Sequence, residues 1–199
     1  MSEELEFDTF LSISPNNLEI YLYDKKNEIN IYGKEHKINN ESKKTYFDQI
    51  NKFLEDNIFE IEKLIGKFIK NINLIIENEK ILTFEIGIKK KNHNNIVNSK
   101  DIENILTEAK DLIKENHQEF KIIHIIINNF IINDHLSSRL QSNIESDNLC
   151  LEIQFILIPN NLVLVIDNIL ERYQITTDKY LCLNYIKKYF LHKEIELSV

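Results

Sequence analysis

The chain has no Trp, one Met, two Cys, two Pro and three Gly in 199 residues, and only two of its 24 basic residues are Arg. Each scarcity removes a class of function. Loops that cradle phosphate need clustered Gly, because the backbone must approach the oxygens closely and adopt positive φ. Gly33, Gly66 and Gly87 stand far apart, so neither a Walker loop nor a dinucleotide fingerprint is present. Cys150 and Cys182, 32 positions apart, supply no Cys-x-x-Cys zinc knuckle and no disulfide framework, and each sits in an apolar pattern like a buried thiol. The six His include no His-x-x-x-His pair, and no Gly-x-Ser-x-Gly elbow occurs. No metal or cofactor site is expected.

Long apolar runs are missing as well. The longest, Ile122 to Ile127, is strand-length and interrupted by His124. The opening Met1-Ser2-Glu3-Glu4 is acidic where a secretory signal is basic and then apolar, so a cytoplasmic location is expected. The formal net charge of -8 argues against a nucleic-acid partner, because phosphate binding needs clustered Lys and Arg. The basic clusters are short: Lys43-Lys44, Lys89 to Lys91 and Lys187-Lys188, each with acids nearby.

What is abundant is 36 Ile, 26 Asn and 22 Lys, a bias that reads as AT-rich coding and blurs compositional signals. Apolar residues at 43% nevertheless suffice for a core, and the length fits one domain or one domain carrying a sizeable insert. Alternation predicts strands over Phe7 to Ser14, Leu18 to Tyr23 and Ile29 to Tyr32, a three-stranded meander followed by a polar stretch from Lys34 to Lys44. Phe47, Ile50, Leu54, Ile58, Ile61, Ile65 and Phe68 then recur at three and four, which predicts one face of a long helix; Gly66 inside it is tolerated at about 1 kcal/mol against Ala, which weakens the last turn. Asn71 to Glu77 returns as a strand.

A second unit begins with a strand from Ile81 to Lys89 and a polar loop from Lys90 to Asn98. Asn98 or Ser99 caps a helix whose first turn holds Asp101 and Glu103 and whose apolar face is Ile102, Ile105, Leu106, Ala109, Leu112 and Ile113. Strands follow over Lys121 to Ile127, continuing through Phe130 to Ile132, and over Leu149 to Ile158. After Pro159-Asn160-Asn161 a helix runs to Arg172, then a short strand near Ile175 and a helix from Asp178 to Leu191. The fold class is therefore α+β. His124 reads as a packing histidine, and Glu55, Glu60 and Glu62 as a solvated helix face rather than acid/base machinery. His124, Asp134 and His135 are the residues around which a hydrolase or small-ligand site would have to be built.

Three segments carry a likeness to a known family. They are Ser99 to Asp111; Ile123-His124 with Phe130-Ile-Ile-Asn133; and Asn168 to Arg172 followed by Asp178 to Leu183 and Tyr189. In order and spacing they resemble the N-terminal part of the actin-like bacterial cell-division protein FtsA. The resemblance implies a partial actin-like, ribonuclease H-like subdomain over 5–77 and 159–199, with an inserted strand-helix-strand-strand domain over 78–158. It gives the segment after Asp178 as a strand, against the helical periodicity.

The family's first phosphate loop corresponds here to Leu11-Ser-Ile-Ser-Pro-Asn-Asn17, where Ser12 replaces the acid and Ser14-Pro15 replaces Gly-Thr. Pro15 also removes a backbone donor. The chain ends before the strand that carries the family's second phosphate loop. No ATP binding and no enzymatic activity are expected. The function implied is a cell-division adaptor that binds other division proteins through the insert, at the cytoplasmic face of the division site. Partner-binding residues would be Lys89, Lys90 and Lys91 at a sheet edge, with Asp101 and Glu103 beside them. A homodimer is a further expectation. Asp178 to Lys193 offers an amphipathic stripe for peripheral membrane contact, for which core packing is the preferred reading. The alternatives are an adaptor of another actin-like system such as pilus assembly, or a small ligand-binding protein or hydrolase.

Overall fold

Alternating burial drives the first sheet. In the computed structural model, which describes residues 7–39, 45–140 and 144–188, β1 (Phe7–Ile13), β2 (Asn17–Asp24) and β3 (Ile29–Lys37) form an antiparallel meander. The chain continues through α1 (Tyr46–Ile65), β4 (Asn71–Ile76), β5 (Leu82–Ile96), α2 (Ser99–Asn116), β6 (Phe120–Ile132), β7 (His135–Ser137), β8 (Glu145–Pro159), α3 (Asn160–Glu171) and β9 (Thr176–Cys182), with helical residues at 183–188. Two compact units result. One holds the described residues up to Glu79 and from Leu162 onward; the other is Lys80–Asn161.

The first unit carries a five-stranded sheet of order β3-β2-β1-β4-β9, with β4 parallel to β1 and β9 parallel to β4. Leu18, Ile20 and Leu22 of β2 are buried, as are Ile50, Phe53, Leu54, Ile58 and Ile61 of α1. A capping box starts α1. The Thr45 hydroxyl accepts the Asp48 N–H at 3.2 Å, and Asp48 Oδ2 accepts the Thr45 N–H at 3.0 Å. Gly66 ends the helix in the left-handed region at φ 69, its N–H donating to the Glu62 carbonyl at 2.8 Å.

Five expectations need correction here. β3 runs to Lys37, because β2 offers an unbroken ladder out to Asn17↔Lys37 and a strand exposed on both faces leaves no apolar alternation to read. Phe68 lies beyond the helix and is 81% exposed, since the Gly66 cap turns the chain before the periodic pattern ends. Asp178 begins no helix. Residues Thr176–Cys182 pair in parallel with Asn71–Ile76, so the sheet overrides the helical spacing of Leu181 and Tyr185, as the family resemblance implied. That removes Asp178 and Leu181 from any amphipathic membrane helix; Tyr189 to Lys193 lie outside the described residues.

The fourth correction falls in the second unit, a four-stranded antiparallel sheet of order β5-β8-β6-β7. Lys90 to Ile96 are strand rather than loop. β5 pairs residue for residue with β8 from Leu82↔Leu157 to Lys91↔Asn148, and resumes at Asn95↔Ser146 after a bulge. The side chains of Asn92 and Asn95 each donate to the other's backbone carbonyl, at 2.7 and 2.8 Å, which holds the bulge.

Ile105, Ala109 and Ile113 of α2 form one core cluster with Leu151, Ile153, Phe155 and Leu157 of β8. Asn98 caps α2: its Oδ1 accepts the N–H groups of Lys100 at 2.9 Å and Asp101 at 3.2 Å. Leu112, expected on the buried face, is 48% exposed. The short β7 had no signal of its own; it exists because Asn133 and Asp134, at φ 49 and 66, make a two-residue hairpin turn after β6.

Candidate functional site

Two places merit a site test: the β1–β2 turn, where the resemblance implies a phosphate loop, and the outer edge of β5.

The turn is closed upon itself. The Ser14 N–H donates to the Asn17 carbonyl at 2.9 Å and the Ser14 hydroxyl to the same carbonyl at 3.0 Å, while the Asn17 N–H donates to Ser14 Oγ at 3.0 Å. The Tyr46 hydroxyl donates to the Ser14 carbonyl at 3.1 Å, and the Ile38 N–H to that of Asn16 at 2.9 Å. Pro15 has no N–H to give. Of the four turn residues, only Asn16 keeps a backbone donor outside these bonds, whereas an anion nest needs several convergent ones. Burial of Ser12, 7% exposed, further withdraws the hydroxyl that stands in the acid's place.

β5 is the end strand of its sheet, hydrogen-bonded on one side to β8. Its residues alternate between two faces. Phe84, Ile86 and Ile88 are half-buried and pack against the α2 cluster, whereas Glu85, Gly87 and Lys89 alternate with them and are exposed. Lys90 continues the α2 side and forms an ion pair with Glu108. Lys89 reaches Asp134 of the β6–β7 turn at 3.6 Å, an open pair of the kind that contributes little to stability. Lys91 is exposed and makes no ion pair among the described residues. The three lysines thus stand within the strand, not at its end.

Asp101 has a structural task. Its Oδ2 accepts the Asn98 N–H at 3.0 Å and closes the capping box of α2. Glu103 is exposed one turn into the helix, its backbone carbonyl taking the Thr107 hydroxyl at 2.8 Å. Among the described residues no ion pair joins either acid to Lys89, Lys90 or Lys91. Sequence reading missed Glu108, the acid that pairs with Lys90. Nothing in the sequence shows which strand lies under that face of α2.

The remaining candidates disperse. His124 is half-buried on β6 opposite Ile156, and burial holds its imidazole below the ordinary His range. His135 pairs with Ile132 at the other end of the strand, eight residues and about 26 Å away. Asp134 beside it is 86% exposed. These three make no shared pocket. Glu62 Oε1 accepts the Ile69 N–H at 3.0 Å, and Glu55 pairs with Lys52 at 3.3 Å, so these acids brace the surface. Cys150 and Cys182 are free thiols in different units. Among the described residues no group of three His, Cys, Asp or Glu is placed to hold a metal ion, and no helix is long and apolar enough to cross a membrane.

No protein-family model matches the chain, and neither does any curated protein sequence. Solved structures do. A chain of the PilM-PilN type IV pilus biogenesis complex superposes with a TM-score of 0.60 at 11% identity over 94% of this chain and 51% of its own. The cytoplasmic domain of EpsL, an inner-membrane component of the Vibrio cholerae type II secretion system, gives 0.45 at 9% identity, covering 89% of this chain and 57% of its own. A Bacteroides thetaiotaomicron protein of actin-like ATPase fold and unknown function gives 0.45 at 10%, covering 94% and 56%. The chain spans about half the length of the solved structures it matches. At such identities the likeness speaks for the fold: a mixed α/β chain with an actin-like, ribonuclease H-like sheet and an inserted strand-helix-strand-strand unit.

Proposed function

We propose that this chain is a non-enzymatic, protein-binding adaptor of an actin-like assembly, of the kind that serves pilus biogenesis. The observation that carries the reading is the superposition of 94% of the chain on a component of the PilM-PilN complex. The non-catalytic half of the proposal rests on the β1–β2 turn. Its donors are spent inside the hairpin, and Pro15 offers none, so the place where a nucleotide phosphate would sit has lost the groups that would grip it.

A division role of the FtsA type is the second reading. It draws on the Ser99 to Asp111 helix and the insert it belongs to, which carry the resemblance in sequence. Both readings use the protein at the cytoplasmic side of a membrane-bound machine, through protein partners rather than nucleic acid.

Two experiments test the proposal. Cross-linked affinity capture from the native cell, read by mass spectrometry, is expected to enrich pilus-biogenesis proteins. Enrichment of division-ring proteins would move the chain to the second reading, and background alone would sink both. Titration calorimetry with Mg-ATP is expected to give no binding heat, and micromolar affinity would overturn the non-catalytic half.

A further inference from the structure

We infer that the outer edge of β5 takes up an extended segment of a partner protein as an added strand, and that this segment alternates acidic and apolar residues. The inference rests on the adaptor reading and names the partner chemistry for it.

The geometry starts with the backbone. An end strand leaves every second N–H and C=O pointing away from its sheet, and a peptide laid alongside satisfies them. From Leu82 to Lys91 the pairing of β5 with β8 is unbroken, so ten residues keep the pleat that a new ladder requires. The bulge that spoils an edge for pairing begins only after Lys91. This stretch carries neither a bulge nor Pro; the protection it does carry is its lysines, which repel another basic edge but not an acidic strand.

Side chains then choose the occupant. An added strand presents its residues alternately to the same two faces as β5. On the α2 side it would meet Phe84, Ile86 and Ile88, which are only half-buried because among the described residues no strand flanks them outward, together with the half-buried Ile102 and Leu106 of α2. Apolar residues of the partner complete that cluster. On the other side it meets Lys89 and Lys91, exposed and two residues apart on one face, where carboxylates of the partner fit. Farther along that face Glu85 already accepts the Asn128 side chain at 2.6 Å and that of Gln154 at 3.3 Å, so the partner's acids belong opposite the lysines and not opposite Glu85.

A second copy of this chain is the competing occupant. An antiparallel pair centred on Lys89 sets Lys89 against itself. The registers centred on Ile88 and on Gly87 avoid this and set Lys91 or Lys89, respectively, opposite Glu85, but each gives an acid to only one of the two lysines. A strand with acids opposite both lysines therefore meets the charge of this edge more fully than a copy of β5 does.

The test uses the full chain and three synthetic ten-residue peptides. One alternates Val with Glu, one alternates Val with Lys, and the third is the Glu peptide methylated at alternate backbone nitrogens on the edge-facing side. Fluorescence anisotropy at low salt is expected to show the Glu peptide binding at least ten-fold tighter than the Lys peptide and at least five-fold tighter than its methylated form. Hydrogen exchange is expected to slow at β5 amides when the Glu peptide is bound. Lys89→Glu with Lys91→Glu is expected to reverse the preference between the Glu and Lys peptides. Lys91→Glu alone, which breaks no ion pair described above, is expected to narrow that preference several-fold and keeps the test if the double variant misfolds.

Absence of binding, equal binding of the methylated peptide, indifference to charge reversal, or dimerisation through β5 seen by sedimentation would each overturn the inference. Failure of the adaptor reading shows elsewhere. Capture that yields pilus or division proteins while the peptides fail sinks only the β5 assignment, whereas Mg-ATP binding sinks the non-catalytic reading and leaves the peptide result standing.

Discussion

The Tyr180 hydroxyl donates to Asp167 Oδ2 at 2.5 Å, joining the last strand of the first sheet to α3. Thr177, three residues earlier on β9, donates to the other oxygen of the same carboxylate at 2.7 Å. One acid on α3 thus fixes two positions of β9. Replacing Tyr180 by Phe is expected to cost about 1–2 kcal/mol, since a half-buried hydrogen bond to a charged group is lost while Thr177 still serves the carboxylate. Urea unfolding of the variant checks this. A midpoint equal to that of the natural chain would show that the Tyr180–Asp167 bond adds nothing to the hold of α3 on β9.

The same phenol predicts behaviour in alkali. Burial, and then the bond to Asp167, push Tyr180 up from 10.0 to about 12; burial does the same for Tyr46, and burial with Glu19 for Tyr21. In the unfolded chain these phenols ionise near 10, while the folded chain holds their protons until about 12, so the unfolded state binds fewer protons across that window. Stability is therefore full below pH 10 and falls as the pH rises toward 12. Denaturant midpoints measured from pH 8 to 12 are expected to decline above 10. A flat profile would contradict the buried placement of these rings.

His124 has the opposite sign. Burial lowers its pKa from 6.5, so as the pH falls below 6.5 the unfolded chain takes up a proton before the folded chain does. Stability contributed by this site is lost on acidification, and His124→Gln is expected to flatten the change in denaturant midpoint between pH 7 and 5.

Gly66→Ala is expected to destabilise the first unit by about 1 kcal/mol, through the strain of an L side chain at φ 69 and not through a clash. A Cβ there would meet nothing within 4 Å, so Gly66→Asn, which tolerates the left-handed region better, should recover part of the loss in a thermal melt.

Asn98→Ala is expected to cost about 1 kcal/mol by freeing the first N–H groups of α2. Hydrogen exchange should quicken at Lys100 and Asp101, the two amides that Asn98 caps. Unchanged exchange there would show that water replaces the cap without loss.

Local signals account for much of this molecule. β2, with Leu18, Ile20 and Leu22 alternating inward, α1 with its three-and-four spacing, and α2 with its Asn98 cap all follow from patterns a few residues long. The errors fall where a neighbour decides. Lys90 to Ile96 carry no apolar alternation, because one face is open and the other ends in the Lys90–Glu108 pair, yet β8 supplies a ladder for them. Thr176–Cys182 is a strand because β4 needs a partner, which no spacing within those seven residues reports. The candidate edge was legible as a sheet edge with a basic end at Lys89 to Lys91. Its centre, its clean ten-residue register and the role of Glu108 depend on residues 18 to 75 positions away in sequence.

The pairing of β4 with β9 joins Asn71 to Thr176 across 105 residues, with the whole second unit threaded between them. Closing so long a loop is slow, and parallel pairing gives no hairpin to speed it. During synthesis β1 to β4 and the entire second unit leave the ribosome before β9 exists, so the inserted unit, compact by itself, is free to fold first. Until β9 arrives, β4 is an open parallel edge rich in Ile, and that interval is when the nascent chain is most exposed to aggregation and most in need of a chaperone.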